Sequence, residues 1–216
     1  MTHDQSDNEE LLIPRKRNPI YAIIALVTAI ALFLLSIQAY FYFIRPAPVD
    51  IPTLQEVSEL LGENAGQAFS SHRPEEVRNV VDTASEDIKK AANYIAARSC
   101  READRLCQSK ALYYFVRDQI KYVPDARFHD RLESPLTVLQ TGGADCEDMA
   151  VLNIALQKAI GNQTRLVFIS GHAYAQISIP DYRDGKWNNL DATCDSCQFG
   201  ELLNDYAIQK KDYHEI

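Results

Sequence analysis

The chain has 216 residues and a formal charge of −8, with a pI near 5.1. It therefore carries no broad basic surface, and nucleic acid is excluded as an expected partner. The length admits one ordinary domain of about 100 to 200 residues with something left over.

The surplus lies at the N-terminus. Residues 1–19 are mostly polar and acidic (Asp4, Asp7, Glu9, Glu10), show no periodicity, and are predicted to be a disordered cytoplasmic tail. Residues 20–44 (IYAIIALVTAIALFLLSIQAYFYFI) hold no charge, and at about 1.5 Å per residue they make a helix of roughly 37 Å, enough to cross a lipid bilayer. A buried soluble helix would be shorter and show a polar face. A cleaved signal peptide has a shorter apolar run and a small-residue cleavage site, which this stretch lacks. The segment is thus predicted to be a transmembrane anchor. Tyr21 and the aromatic run at 40–43 stand at its two ends, and Arg15, Lys16 and Arg17 precede it where Arg45 alone follows closely. Excess basic charge on the cytoplasmic flank places the C-terminal part outside the cell membrane.

Three prolines in residues 45–52 (RPAPVDIP) give a stiff exit, and Leu54, Val57, Leu60 and Leu61 form a short helical stripe. Residues 45–73 are read as a juxtamembrane linker and 74–216 as one folded domain. Pro74 opens a single long helix with Val77, Val80, Val81, Ala84, Ile88, Ala91, Ala92 and Ile95 along one face. Another helix carries Ala111, Leu112, Phe115, Val116 and Ile120 and ends near Tyr122; residues 124–135 read as a loop. A helix from Cys146 to Ile160 is apolar almost all round and stops at Gly161, a favoured left-handed cap. Beyond it the pattern becomes strand-like: residues 165–170, 172–179 and 186–192, separated by turns at Gly171 and at 180–185. Helices followed by strands give an α+β domain with an antiparallel sheet.

The chemistry concentrates at Cys146. A thiol at a helix N-terminus sees unpaired N–H groups and the positive end of the helix dipole, which favour thiolate. Gly142 and Gly143, just ahead of it, would let a substrate backbone approach. His172 begins one strand and Asp191 ends the next, and adjacent antiparallel strands can set the two side chains opposite each other. Nucleophile, base and orienting acid then follow in chain order. His3 lies in the tail, His72 in a loop and His214 near the C-terminus; His129, in the 124–135 loop, is the rival base.

The segments LQTGGADCEDMAVLNIALQKAIG (139–161), GHAYAQI (171–177) and KWNNLDAT (186–193) resemble the three motifs of the transglutaminase-like superfamily. KALYYFVRDQIKYVPD (110–125) is similar to the helix leading into that core. The resemblance implies a papain-like α+β fold with Cys146, His172 and Asp191 as a triad. It marks no oxyanion-hole side chain, so the Cys146 backbone N–H is the expected donor and Gln140 the side-chain candidate. Glu147 and Asp148 are read as dipole-favoured residues of a first helical turn rather than as metal ligands. No cofactor or metal is expected.

The remaining cysteines, Cys100, Cys107, Cys194 and Cys197, are even in number and suit disulfides in an exported domain. Three connectivities are open; local pairing, 100 with 107 and 194 with 197, is preferred. The rival is a four-thiolate zinc site, against which the wide 100–107 spacing counts. NQT at 162–164 is a glycosylation sequon or a plain surface turn. The expected protein is a membrane-anchored thiol enzyme that hydrolyses peptide or amide bonds in a peptide or protein substrate. A cross-linking transglutaminase and a non-catalytic binding or assembly module on the same fold are the alternatives.

Overall fold

The computed structural model describes residues 19–43, 47–62, 74–83, 85–100, 104–125, 131–180 and 182–216. They divide into two compact units at residue 45. The first is one helix, α1 (Pro19–Phe43), long and apolar enough to cross a membrane. Its large apolar side chains from Ile20 to Tyr40 are exposed. Thr28 and Ser36, its two aliphatic hydroxyl residues, bond to carbonyls of their own helix: Thr28 Oγ1 to Ile24 O and Ala25 O, Ser36 Oγ to Phe33 O. Such back-bonding satisfies a hydroxyl where no water is at hand. The predicted tail and the basic residues Arg15, Lys16, Arg17 and Arg45 lie outside the described residues.

The second unit is an α+β fold. Its helices are α2 (Leu54–Leu61), α3 (Pro74–Thr83), α4 (Ser85–Ser99), α5 (Arg105–Gln119), α6 (Pro135–Thr141), α7 (Cys146–Ala159) and the single turn α8 (Asn204–Ala207). The main sheet is antiparallel, built from β3 (Gln163–Ile169), β4 (His172–Ser178), β5 (Trp187–Leu190) and β6 (Asp212–Glu215) in the order β5-β4-β3-β6. A two-residue pair, β1 (Lys121–Tyr122) and β2 (Gly143–Ala144), is parallel.

The short helix foreseen in the linker is α2, closed at its start by a capping box in which Thr53 and Glu56 satisfy each other's backbone N–H. Val57 and Leu61 belong to the core of the second unit. The helix expected from Pro74 is described on either side of residue 84, as α3 and α4, and Ala84 itself lies outside the described residues. Its apolar face is as read, with Val77, Val80, Val81, Ile88, Ala91, Ala92 and Ile95 buried.

α7 is the centre of the unit: every residue from Asp148 to Gln157 is buried. At its end the Gly161 N–H bonds to Lys158 O and the Asn162 N–H to Gln157 O, with Gly161 at φ 87°; this double bond pattern is the Schellman stop. Beyond β5, residues 199–216 form a strap. It leaves through a bridge between Asn189 and Gly200 and returns as β6, paired with β3 on the far side of the sheet. On the way Leu202 and Tyr206 pack on Val167, Ile169 and Tyr174. β4 is therefore covered on both faces, and all seven of its residues are buried.

Candidate active site

Cys146 is the first residue of α7 and a free thiol of intermediate exposure. Asp145, the N-cap, accepts hydrogen bonds through Oδ1 from Glu147 N at 2.9 Å and Asp148 N at 3.0 Å. The cap thus satisfies the second and third N–H groups of the helix and leaves that of Cys146 pointing out of its open end.

The approach to Cys146 is fixed from two sides. Lys121 N bonds to Gly142 O and Val123 N to Ala144 O, each at 2.8 Å. Gly142 sits at φ 73°, and a Cβ there would come within 2.6 Å of Leu54 Cδ2; one on Gly143 would meet Val123 Cγ2 at 3.2 Å. Internal packing accounts for both glycines, where their sequence position had suggested room for a substrate.

His172 is placed by a two-residue turn, Ser170 and Gly171, that joins β3 to β4 in the register Ile169↔His172. Its Nε2 lies 3.2 Å from Asp191 Oδ2. The pairing of Gln176 with Asn189 puts these residues on one face of the sheet, but continuing that register sets Asp191 across from Tyr174. The His172–Asp191 reach is diagonal, not directly opposite as the strands alone suggested. Asp191 is fully buried, and its Oδ1 accepts from Thr193 N at 3.3 Å and Thr193 Oγ1 at 2.8 Å.

With Nε2 engaged by Asp191, Nδ1 is the ring nitrogen left for Cys146. Burial is the largest influence on His172 and opposes its protonation. Hydrogen bonds to Asp191 and Cys146, with the charges of both, outweigh it and raise the pKa to about 9. A buried imidazolium held between a thiol sulfur and a carboxylate is the result. Tyr122 titrates above its ordinary range, first through burial, then through the neighbouring acids Cys146, Asp145 and Tyr206. Cys146 and Tyr206 therefore both lie within electrostatic reach of Tyr122.

Two residues that sequence reasoning passed over hold the Asp191 loop. Tyr113, fully buried, directs its hydroxyl at Asp191 O and Cys197 O, both 3.1 Å away. Arg117 Nη1 donates to Cys197 O at 2.7 Å, and its guanidinium lies 4.6 Å from the Tyr114 ring centre. The YYFVR run that carries them looked like ordinary helix; two adjacent tyrosines, whose hydroxyls need partners wherever they are buried, were its unusual feature. The loop is also closed by the disulfide Cys194–Cys197, and Cys100–Cys107 joins the end of α4 to α5. With both pairs bridged, the zinc alternative falls away.

Other candidates stand elsewhere. Gln140, on α6, lines a recess of about 450 Å³ with Ser58, Glu59 and Gly62 of the α2 region. His214 sits on the edge strand β6, 3.1 Å from Asp212 Oδ2. His129, His72 and His3 fall outside the described residues. Asp148 is a buried first-turn acid, and burial, followed by the charge of Asp145, raises its pKa to about 8. Its Oδ1 accepts from Glu133 N at 2.7 Å, tying the segment before α6 to α7. Asn162 of the sequon is 5% exposed and bonded to Ser109 Oγ and Gln157 Oε1, which denies it to a glycan in the folded state. Among the described residues no group of three His, Cys, Asp or Glu side chains is arranged to hold a metal.

A profile of the transglutaminase-like superfamily matches residues 78–192. Among solved structures the chain is similar to Legionella pneumophila LapG, at 17% identity over 76% of this chain and 83% of that one, with a TM-score of 0.43. Two further states of that protein also match at 17% identity: EGTA-treated, over 76% and 81% with a TM-score of 0.42, and calcium-bound, over 74% and 82% with 0.39. A comparison with curated proteins finds no match.

Proposed function

The chain belongs to the transglutaminase-like superfamily, and on that footing we propose that it is a membrane-anchored thiol enzyme that hydrolyses peptide or amide bonds of a protein substrate outside the cell membrane. The observation that carries the reading is one imidazole shared between two partners: His172, 3.2 Å from the buried Asp191 carboxylate, also hydrogen-bonded to the free thiol that opens α7.

In the proposed cycle Cys146 Sγ, as thiolate, attacks the carbonyl carbon of the substrate. The oxygen takes up the electron pair and is met by the Cys146 N–H at the open end of the helix. His172 Nδ1–H gives its proton to the leaving nitrogen as the C–N bond breaks, and a thioester remains. Water then attacks that carbonyl while Nδ1 takes its proton; the C–S bond breaks and thiolate and imidazolium are restored. Asp191 keeps its proton count throughout and holds Nε2–H. Gln140, in a recess shared with the α2 region, is left out of this machinery. The apolar α1 supports anchorage in a lipid bilayer, and the basic excess of Arg15, Lys16 and Arg17 over Arg45 supports a cytoplasmic N-terminus.

Incubation of the full-length protein with a peptide library, acid quenching and mass spectrometry should find an acyl adduct on Cys146. The adduct should be absent in Cys146→Ser and should decay in water. Decay that requires an added primary amine would assign transfer in place of hydrolysis. Absence of any adduct, together with Cys146 alkylation no faster than that of a free thiol, would make the fold a binding module.

A further inference from the structure

The strap crosses the outer face of the sheet at the point where His172 begins β4. There the Tyr206 ring lies over the imidazole, centroids 4.6 Å apart and planes inclined by 27°. We propose that Tyr206 is a positioning residue of the site: its ring holds the His172 imidazole in the plane that meets Asp191 and Cys146 together, and keeps water off the His172–Asp191 hydrogen bond. The proposal rests on the reading of Cys146 and His172 as nucleophile and base.

An imidazole bonded at one edge can still turn about its Cβ–Cγ bond, and a turn carries Nδ1 away from the thiol. Flat walls prevent it. His172 is faced by Asp191 from the end of β5, by Cys146 from α7, by Tyr174 from its own strand and by Tyr206 from α8. The Tyr174 ring is also near-parallel but stands 6.2 Å off, so Tyr206 is the closer wall. It is also the partly exposed wall of the two, Tyr174 being buried, and the His172 side chain between them is 6% exposed. A face-on aromatic further favours the charged ring.

Tyr206 is itself held from both directions along the strap. Gly200 N bonds to Asn189 O at 3.0 Å before it, Ser170 N to Gln209 Oε1 at 3.2 Å after it, and Leu202 packs beside it on Val167 and Ile169. The superfamily match ends at residue 192, so this wall comes from outside the matched core. Tyr206 acts through its ring face: among the described residues its hydroxyl makes no hydrogen bond.

The test is the rate of Cys146 alkylation by iodoacetamide, measured on the full-length protein in detergent at pH 6 and pH 10. Tyr206→Ala and Tyr206→Leu should both react about 2- to 12-fold more slowly than wild type at pH 6, the range that an aromatic stack is worth. By pH 10 the deficit should vanish, because a thiol with an ordinary pKa of about 8.5 ionises there unaided. Tyr206→Phe, which keeps the stack, should match wild type at both pH values. Leucine fills the space without offering a ring, so a rate restored by Leu would mean packing alone and overturn the proposal. Unchanged or faster reaction of Tyr206→Ala at pH 6, or Phe as slow as Ala, would overturn it too. His172→Ala is the reference: if it alkylates like wild type at pH 6, the base assignment itself has failed. If it slows while Tyr206→Ala does not, only the strap's role is lost.

Discussion

Cys146 opens a helix enclosed by protein on every side from Asp148 to Gln157. His172 opens a strand with the core under one face and, over the other, a strap holding a four-residue helix and an exposed edge strand. Cys146, the proposed nucleophile, is positioned by bulk packing that also holds the fold together; His172, the proposed base, is positioned by a few directed contacts at the sheet's rim. Stability and activity should therefore come apart under mutation, according to which side is touched.

The sharpest separation should come from His172→Ala, which removes the proposed proton carrier from the thin side and is expected to lower kcat/KM for the peptide identified by adduct capture by about 10²- to 10⁴-fold. Activity within tenfold of wild type would erase the distinction. On the thick side, Leu152 is fully buried in α7, and Leu152→Ala should cost about 2 to 5 kcal/mol of unfolding free energy, read from urea denaturation. Turnover per folded molecule should stay near wild type. A large fall in turnover with intact stability would reverse the comparison.

The two sides should also answer differently to pH. The folded-state pKa of His172, about 9, lies above its ordinary 6.5. The stability it supplies is therefore complete below about pH 6.5 and is lost as pH rises through about 9. Melting temperature followed from pH 6 to 10 should fall across that window in wild type and stay flatter in His172→Ala; parallel curves would refute the coupling. The smallest expected effect is at the seam between the two sides. Asp145→Ala removes the cap of α7 and should cost about 1 kcal/mol, with Cys146 alkylating more slowly at pH 6. A capless helix of unchanged stability would show that packing alone holds the thiol.

The same contrast governs what could be read in advance. α7 was legible because its apolar positions, its cysteine at the open end and Gly161 at the stop agree with one another. The α+β order and the chain order Cys146, His172, Asp191 were legible for similar local reasons. α6 went unseen because Pro135 looked like the end of a loop; Ser134, whose Oγ accepts from Thr137 N at 3.1 Å, followed by proline at the first helical position, was the available sign. β1 and β2, two residues each, carry no periodicity at all. The strap carries no sustained periodicity, and its contact of Tyr206 with His172 joins residues from separate elements that no local pattern links.

The close fit of Gly142 against Leu54 bears on where the chain can be cut. Leu54 belongs to α2, ahead of Pro74, and its N–H is taken by Gln119 Oε1 at 3.2 Å. Still earlier, Val49 N bonds to Ser99 O at 2.9 Å. Trimming the chain to residue 74 to obtain a soluble fragment would strip the wall behind Gly142 and let the loop that delivers Cys146 relax into the vacated space. A fragment that is to keep the site intact must retain Val49, a few residues beyond the division between the two units.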